Sequence, residues 1–139
     1  MVTEGCADAI VALEPSETLR VLRYANTSTL IFINTKPVIP SSITLGSKPY
    51  PNIEAILHEC RRATKKLVIL DAFSLAKKSG NPRIQNVVML GSLAASGLPF
   101  DVEVLRRGIS KSVRPEYFAA NMKAFDLGRE AYRRLDVDI

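Results

Sequence analysis

Three short runs constrain what this chain can fold into more than any other feature: "ADAIVAL" at residues 7–13, "STLIFINT" at 28–35 and "KLVILD" at 66–71. They are rich in aliphatic, β-branched and aromatic side chains, the composition of strands. The first is nearly continuous in apolar residues, as a strand buried on both faces is. Each ends at polar residues: Glu14, Asn34-Thr35 and Asp71. Helical patterns lie between them. "PSETLRVLRYA" starts at Pro15 with Leu19, Val21 and Leu22 facing inward, and "NIEAILHECRRA" has Asn52 as its cap and Ile53, Ile56, Leu57 and Cys60 on one face. The order strand, helix, strand, helix, strand, then helices predicts an α/β fold, a three-layer Rossmann-like arrangement with a mostly parallel sheet flanked by helices. In such sheets ligands bind beyond the carboxyl ends of the strands. The residues after the three strands are therefore candidate site residues.

Residues 36–51 hold four prolines and predict an extended loop, with a short edge strand at 42–45. After Asp71, "AFSLAKKSG" reads as a short helix stopped by Gly80. The next segment, "GNPRIQNVVMLG", joins a turn to an apolar run. Pro82 suits the first turn of a helix, with Asn81 as its cap. From Ile84 to Ala95 the apolar residues cover almost the whole circumference, which predicts a buried helix. Gly91, Ala94 and Ala95 make a flat patch where another backbone can approach. "DVEVLRRGISKS" predicts a surface helix capped by Asp101. A last helix runs from near Pro115 to about Leu135, with Phe118, Met122, Phe125 and Tyr132 recurring at its turns and Gly128 among them.

The chain has 139 residues, which suits one domain, and at 47% hydrophobic it can bury a core without disulfides or metal. No apolar stretch is long enough to span a bilayer and the N-terminus has no basic leader, so the expected location is the cytoplasm. The two cysteines, Cys6 and Cys60, are far apart and cannot hold an iron–sulfur cluster or a structural zinc unaided. The single histidine, His58, has helix-flank neighbours and no Ser, Cys or carboxylate spaced to work with it. The formal net charge of +5 comes from small basic groups without interleaved aromatics, and no RNA-binding or helix-turn-helix signature is present. A solvated basic surface or an acidic protein partner accounts for such charge, and nucleic acid ranks below both.

No P-loop, GxSxG, HExxH or GxGxxG pattern occurs. Glu14 and Asp71 have two readings, an acid–base pair at the sheet end or caps of the turns that follow. Asn34, Asn81 and Asn86 can each donate and accept hydrogen bonds to an amide, a carboxylate or a neighbouring loop. Arg83 beside a helix start opposes the dipole there, and so either meets an anion or a partner's carboxylate or simply faces solvent.

Four segments taken together, "ADAIVALEPSETLR", "FINTKPVIP", "VILDAFSLAKKSGNPRIQNVVMLGSLA" and "EYFAANMKAFDLGREAY", resemble the gamma-type domain of the 2-oxoacid:ferredoxin oxidoreductases, and among them the beta subunits of the indolepyruvate type. The resemblance implies a component of an enzyme that oxidatively decarboxylates a 2-oxo acid, indolepyruvate or another aryl pyruvate, to acyl-CoA and passes electrons to ferredoxin. It implies that thiamine diphosphate, iron–sulfur clusters and CoA belong to the complex, that none is bound by this chain alone, and that the isolated chain is inactive. The implied partners are a thiamine-binding large subunit and further copies of the chain, with no membrane. Family domains open with a strand, a GxGGQG-type turn and a long helix ahead of the equivalent of "ADAIVALEP", whereas Met1 stands just before that point. The resemblance therefore implies a fold incomplete at the N-terminal side, with an uncovered sheet edge or face. It also places Glu14, Asn34, Thr35, Asn81, Arg83 and Asn86 at a subunit interface or active-site rim. The alternative from another class is a non-catalytic α/β binding or assembly module that keeps the scaffold.

Overall fold

A computed structural model describes residues 2–36 and 52–135. The chain divides into two compact units at the Ile69–Leu70 junction. The first contains β1 (Ala9–Ala12), α1 (Pro15–Val21), a 3-10 turn at Leu22–Tyr24, β2 (Leu30–Asn34), α2 (Ile53–Ala63) and β3 (Lys66–Leu70), whose last residue crosses the boundary. The strands form one sheet in the order β1-β2-β3, and β1 runs parallel to β2 with Ala9 opposite Leu30 and Ala12 opposite Ile33. Two buried threonines help to set that register. The Thr64 hydroxyl donates to the Thr29 carbonyl at 2.6 Å, and the Thr29 hydroxyl donates to the Ala7 carbonyl at 2.7 Å. β2 is buried along its whole length. Ala12, Ile33, Ile56, Leu57 and Cys60 form a core beneath α2, which starts at Asn52, whose side chain accepts from Glu54 N–H.

β1 differs from its reading as a strand buried on both faces. It lies at the end of the sheet order, and Val11 and Leu13 are 40% and 44% exposed. Successive side chains point to opposite faces of the sheet, and the face that carries Val11 is left partly open to solvent. In α1 the buried side chains are Pro15 and Thr18, and Leu19 is exposed. The helix lasts only seven residues before tightening into the 3-10 turn, so no long stripe develops. The edge strand expected at 42–45 lies outside the described residues.

The second unit is helical: α3 (Ala72–Ser79), α4 (Gln85–Ala94), α5 (Val102–Ser112) and α6 (Pro115–Arg134). Asp71 caps α3, and Gly80 ends it with φ 109°, the left-handed conformation that favours glycine. Asp101 caps α5 through two backbone N–H groups. α4 is buried nearly all round and packs on α6. The buried side of α6 is Asn121, Ala124, Phe125, Gly128 and Tyr132, while Phe118 is 42% exposed. Contact with α4 is made where the side chains are smallest, so the stripe expected from the large residues is rotated. Sheet and flanking helices make an α/β, Rossmann-like chain. Among the described residues no helix is long and apolar enough to cross a membrane.

Candidate functional site

The strand-end residues of the first unit are committed to holding the chain ends. Glu14 caps α1, accepting from Glu17 N–H at 3.1 Å and from the Ser16 hydroxyl. Asn34 is fully buried at the end of β2. Its amide donates to the Leu13 carbonyl at 3.1 Å and to the Lys36 carbonyl at 3.3 Å, so the end of β1 is tied to the turn after β2. Thr35 follows, half-buried. In the second unit Asp71 accepts from Ser74 N–H at 2.9 Å and from the Ser74 hydroxyl at 2.8 Å.

Asn81, Arg83 and Asn86 come together in the second unit. Helix α4 does not begin at Pro82. Residues 81–84 form a turn instead, closed by Ile84 N–H donating to the Asn81 carbonyl at 3.3 Å, and helical structure starts at Gln85. Pro82 sits at the second position of that turn, where its fixed φ is equally at home. Asn81 therefore caps the turn, its side-chain oxygen accepting from Arg83 N–H at 3.0 Å, rather than the helix.

This turn forms one wall of an open groove with a cavity volume of about 910 Å³. Val87 and Leu90 continue that wall along α4. Val104, Leu105, Gly108, Ile109 and Ser112, which share one face of α5, make the second wall. Val113, Arg114, Tyr117 and Asn121 close it from the start of α6. The Asn121 amide donates to the Tyr117 carbonyl at 2.8 Å and holds that corner. The floor is apolar and the rim polar, the usual make-up of a binding cleft. Among the described residues, no carboxylate lines it. Arg83 and Arg114 make no ion pair among the described residues, as is also true of Arg107 and Arg133 outside the groove, whereas Arg20, Arg23, Arg61, Arg62, Arg106, Arg129 and Arg134 each do. Sequence reasoning reached Asn81, Arg83 and Asn86 but missed the α5 and α6 walls. The 104/105/108/109/112 spacing was the available signal.

The shifted titrations lie elsewhere. Burial pushes the Cys60 thiol and the Tyr132 phenol up from their ordinary values, and the hydrogen bond from His58, with the nearby Arg62 charge, holds Glu59 below the usual carboxylate range. Among the described residues no three His, Cys, Asp or Glu side chains converge to hold a metal ion. Cys6 is exposed and Cys60 buried. This donor set does not fit an iron–sulfur cluster, nor the divalent ion that a diphosphate cofactor brings.

The sequence model of the family described as "Pyruvate ferredoxin/flavodoxin oxidoreductase" matches residues 1–131. The chain is 34% identical over 129 residues to indolepyruvate oxidoreductase subunit IorB of Archaeoglobus fulgidus, covering 92% of this chain and 64% of that one. It is 37% identical over 137 residues to the subunit of the same name from Pyrococcus horikoshii, covering 97% and 68%. The chain thus spans about two thirds of the length of these relatives. In fold it matches the keto/oxoacid ferredoxin oxidoreductase gamma subunit of Geobacter sulfurreducens with a TM-score of 0.68 at 18% identity, over 97% of this chain and 69% of that one.

Proposed function

The chain belongs to the pyruvate ferredoxin/flavodoxin oxidoreductase family, and on that premise we propose that it is the gamma-type component of a cytoplasmic 2-oxoacid:ferredoxin oxidoreductase of the indolepyruvate kind. In this reading its 139 residues act as one gamma-type domain, inactive alone, which docks on a thiamine-binding large subunit. The complex decarboxylates an aryl 2-oxo acid, transfers the acyl group to CoA and delivers the electrons to ferredoxin. Thiamine diphosphate supplies the carbanion chemistry when bound in that complex. This chain's contribution is a folded surface. Glu14 and Asn34 hold the strand ends, and Asn81, Arg83 and Asn86 stand on one wall of the groove facing the partner or the shared cleft.

The observation that carries the reading is the 37% identity to an indolepyruvate oxidoreductase subunit over 97% of this chain. Its test is co-expression with the large subunit of the same organism. Co-elution, with indolepyruvate-dependent reduction of ferredoxin by the pair and none by either chain alone, supports it. The alternative is a non-catalytic binding or assembly module that keeps the α/β scaffold. It requires the large subunit to turn over equally well without this chain.

A further inference from the structure

Gly108 stands exposed in the middle of α5, and a Cβ built on it would meet nothing within 4 Å. Mid-helix glycine is costly relative to alanine, by roughly 1 kcal/mol, and is normally kept where a neighbouring backbone needs the space. Elsewhere in this unit that neighbour is visible: Gly91 and Gly128 each lie against backbone of the facing helix. At Gly108 the open space is the groove itself. Beside it Val104 and Tyr117 are 51% and 48% exposed, large apolar surface with no cover from the chain. Among the described residues, the two arginines on the rim, Arg83 and Arg114, have no carboxylate partner, and no acid lines the groove to oppose an incoming one.

Resting on the subunit reading above, we infer that the groove between α4, α5 and α6 receives an acidic amphipathic helix of the partner subunit. Its backbone passes close over Gly108, its apolar side covers Val104 and Tyr117, and its carboxylates meet Arg83 and Arg114. Charge complementarity selects this occupant: a cationic rim over an apolar floor matches a helix with an acidic edge, and a second copy of a chain carrying +5 is a poorer match.

The experiment measures affinity of the full chain for the thiamine-binding large subunit of the same organism, at low and high salt, together with thermal melting. Gly108→Leu fills open space at an exposed helical position, so its melting temperature stays equal or rises, while its affinity for the large subunit falls about tenfold or more. R83E/R114E weakens the complex at least as much, about tenfold or more, and removes most of its salt dependence. Large-subunit binding unchanged in both variants overturns the groove assignment and leaves the subunit reading standing. Self-association lost in Gly108→Leu, with large-subunit binding unchanged, gives the groove to a second copy and overturns the proposal as well. No complex with the unaltered chain sinks both.

Discussion

Gly91 of α4 lies directly against the backbone of Phe125 in α6: a Cβ built on Gly91 would stand 2.0 Å from the Phe125 carbonyl oxygen. The relationship is reciprocal, since a Cβ on Gly128 would stand 1.9 Å from the Val88 carbonyl oxygen. The two helices therefore meet backbone to backbone. The first prediction is that Gly91→Ala and Gly128→Ala each destabilise the chain by about 3 kcal/mol or more, above the range for overpacking against side chains because backbone cannot rotate away. Denaturant midpoints of the purified variants check this. Gly108→Ala is the control and is expected to be neutral or to stabilise by about 0.5–1 kcal/mol.

On the outer side of the same crossing, Asp126 lies between two guanidiniums. Arg106 donates to it and Arg129 stands 3.6 Å away, and both lie over the Phe125 ring at 5.4 and 6.0 Å. The two arginine side chains are 26% and 20% exposed and Asp126 is 50% exposed, so solvent screens part of the attraction. Asp126→Asn leaves two like charges near one ring. The expected loss is about 1 kcal/mol, shrinking as salt is added, read from melting curves at low and high ionic strength.

Much of this architecture was legible because local signals agreed with it. The caps Asn52, Asp71 and Asp101 and the stop at Gly80 stand where capping chemistry puts them. The uniformly apolar α4 is buried, and its glycine patch meets a backbone as small residues at helical spacing allow. The misses share one cause, since a one-dimensional pattern does not say which neighbour is present. The β1 run looks the same whether one face of the strand is covered or both, and Val11 is exposed because its face is left partly open. Phe118 fits the stripe of α6, but the direction of that stripe was set by Gly128, which packs on the Val88 backbone of the facing helix α4. Pro82 suits a turn as well as a helix start, and the Asn81 side chain decided for the turn. In the groove, the polar turn could be read from sequence, whereas walls supplied by α5 and α6 required their packing.

The two thiols should behave as different species. Cys6 is exposed, whereas Cys60 is buried beneath α2 and held above its ordinary value by desolvation. A disulfide-exchange reagent under native conditions should titrate one thiol promptly. Reaction of Cys60 should wait for unfolding. Two equally fast thiols in the native chain would show that the α2 core is open.

Tyr132 gives a pH dependence whose sign can be worked out. Burial raises its phenol above the usual value near 10, so the folded state favours the neutral form. The associated stability is fully present below the unfolded pKa and is lost as pH climbs through the raised folded one. Tyr132→Phe lacks this term. The stability gap between the parent chain and the variant should be flat through neutral pH and should move in favour of the variant above about pH 10. Equilibrium unfolding of both proteins across that range decides it.

The last prediction separates docking from folding at Arg83. Its backbone N–H is held by Asn81, and Ala at this position keeps that bond. Its guanidinium makes no ion pair among the described residues, so Arg83→Ala should change stability by no more than about 0.5 kcal/mol, as for an ordinary surface substitution. If the turn faces a partner subunit, the same substitution should weaken the complex several-fold, because an arginine that meets a carboxylate in a partly dried interface carries more binding energy than it does in water. Asn81→Ala serves as the contrast. It removes the side-chain oxygen that accepts from Arg83 N–H within the turn, and should lower stability and affinity together. Thermal melts and titrations against the large subunit, run on both variants, give the two quantities side by side. Equal losses of folding and docking in Arg83→Ala, or a loss of folding alone, would make the side chain a structural one and take the turn off the interface.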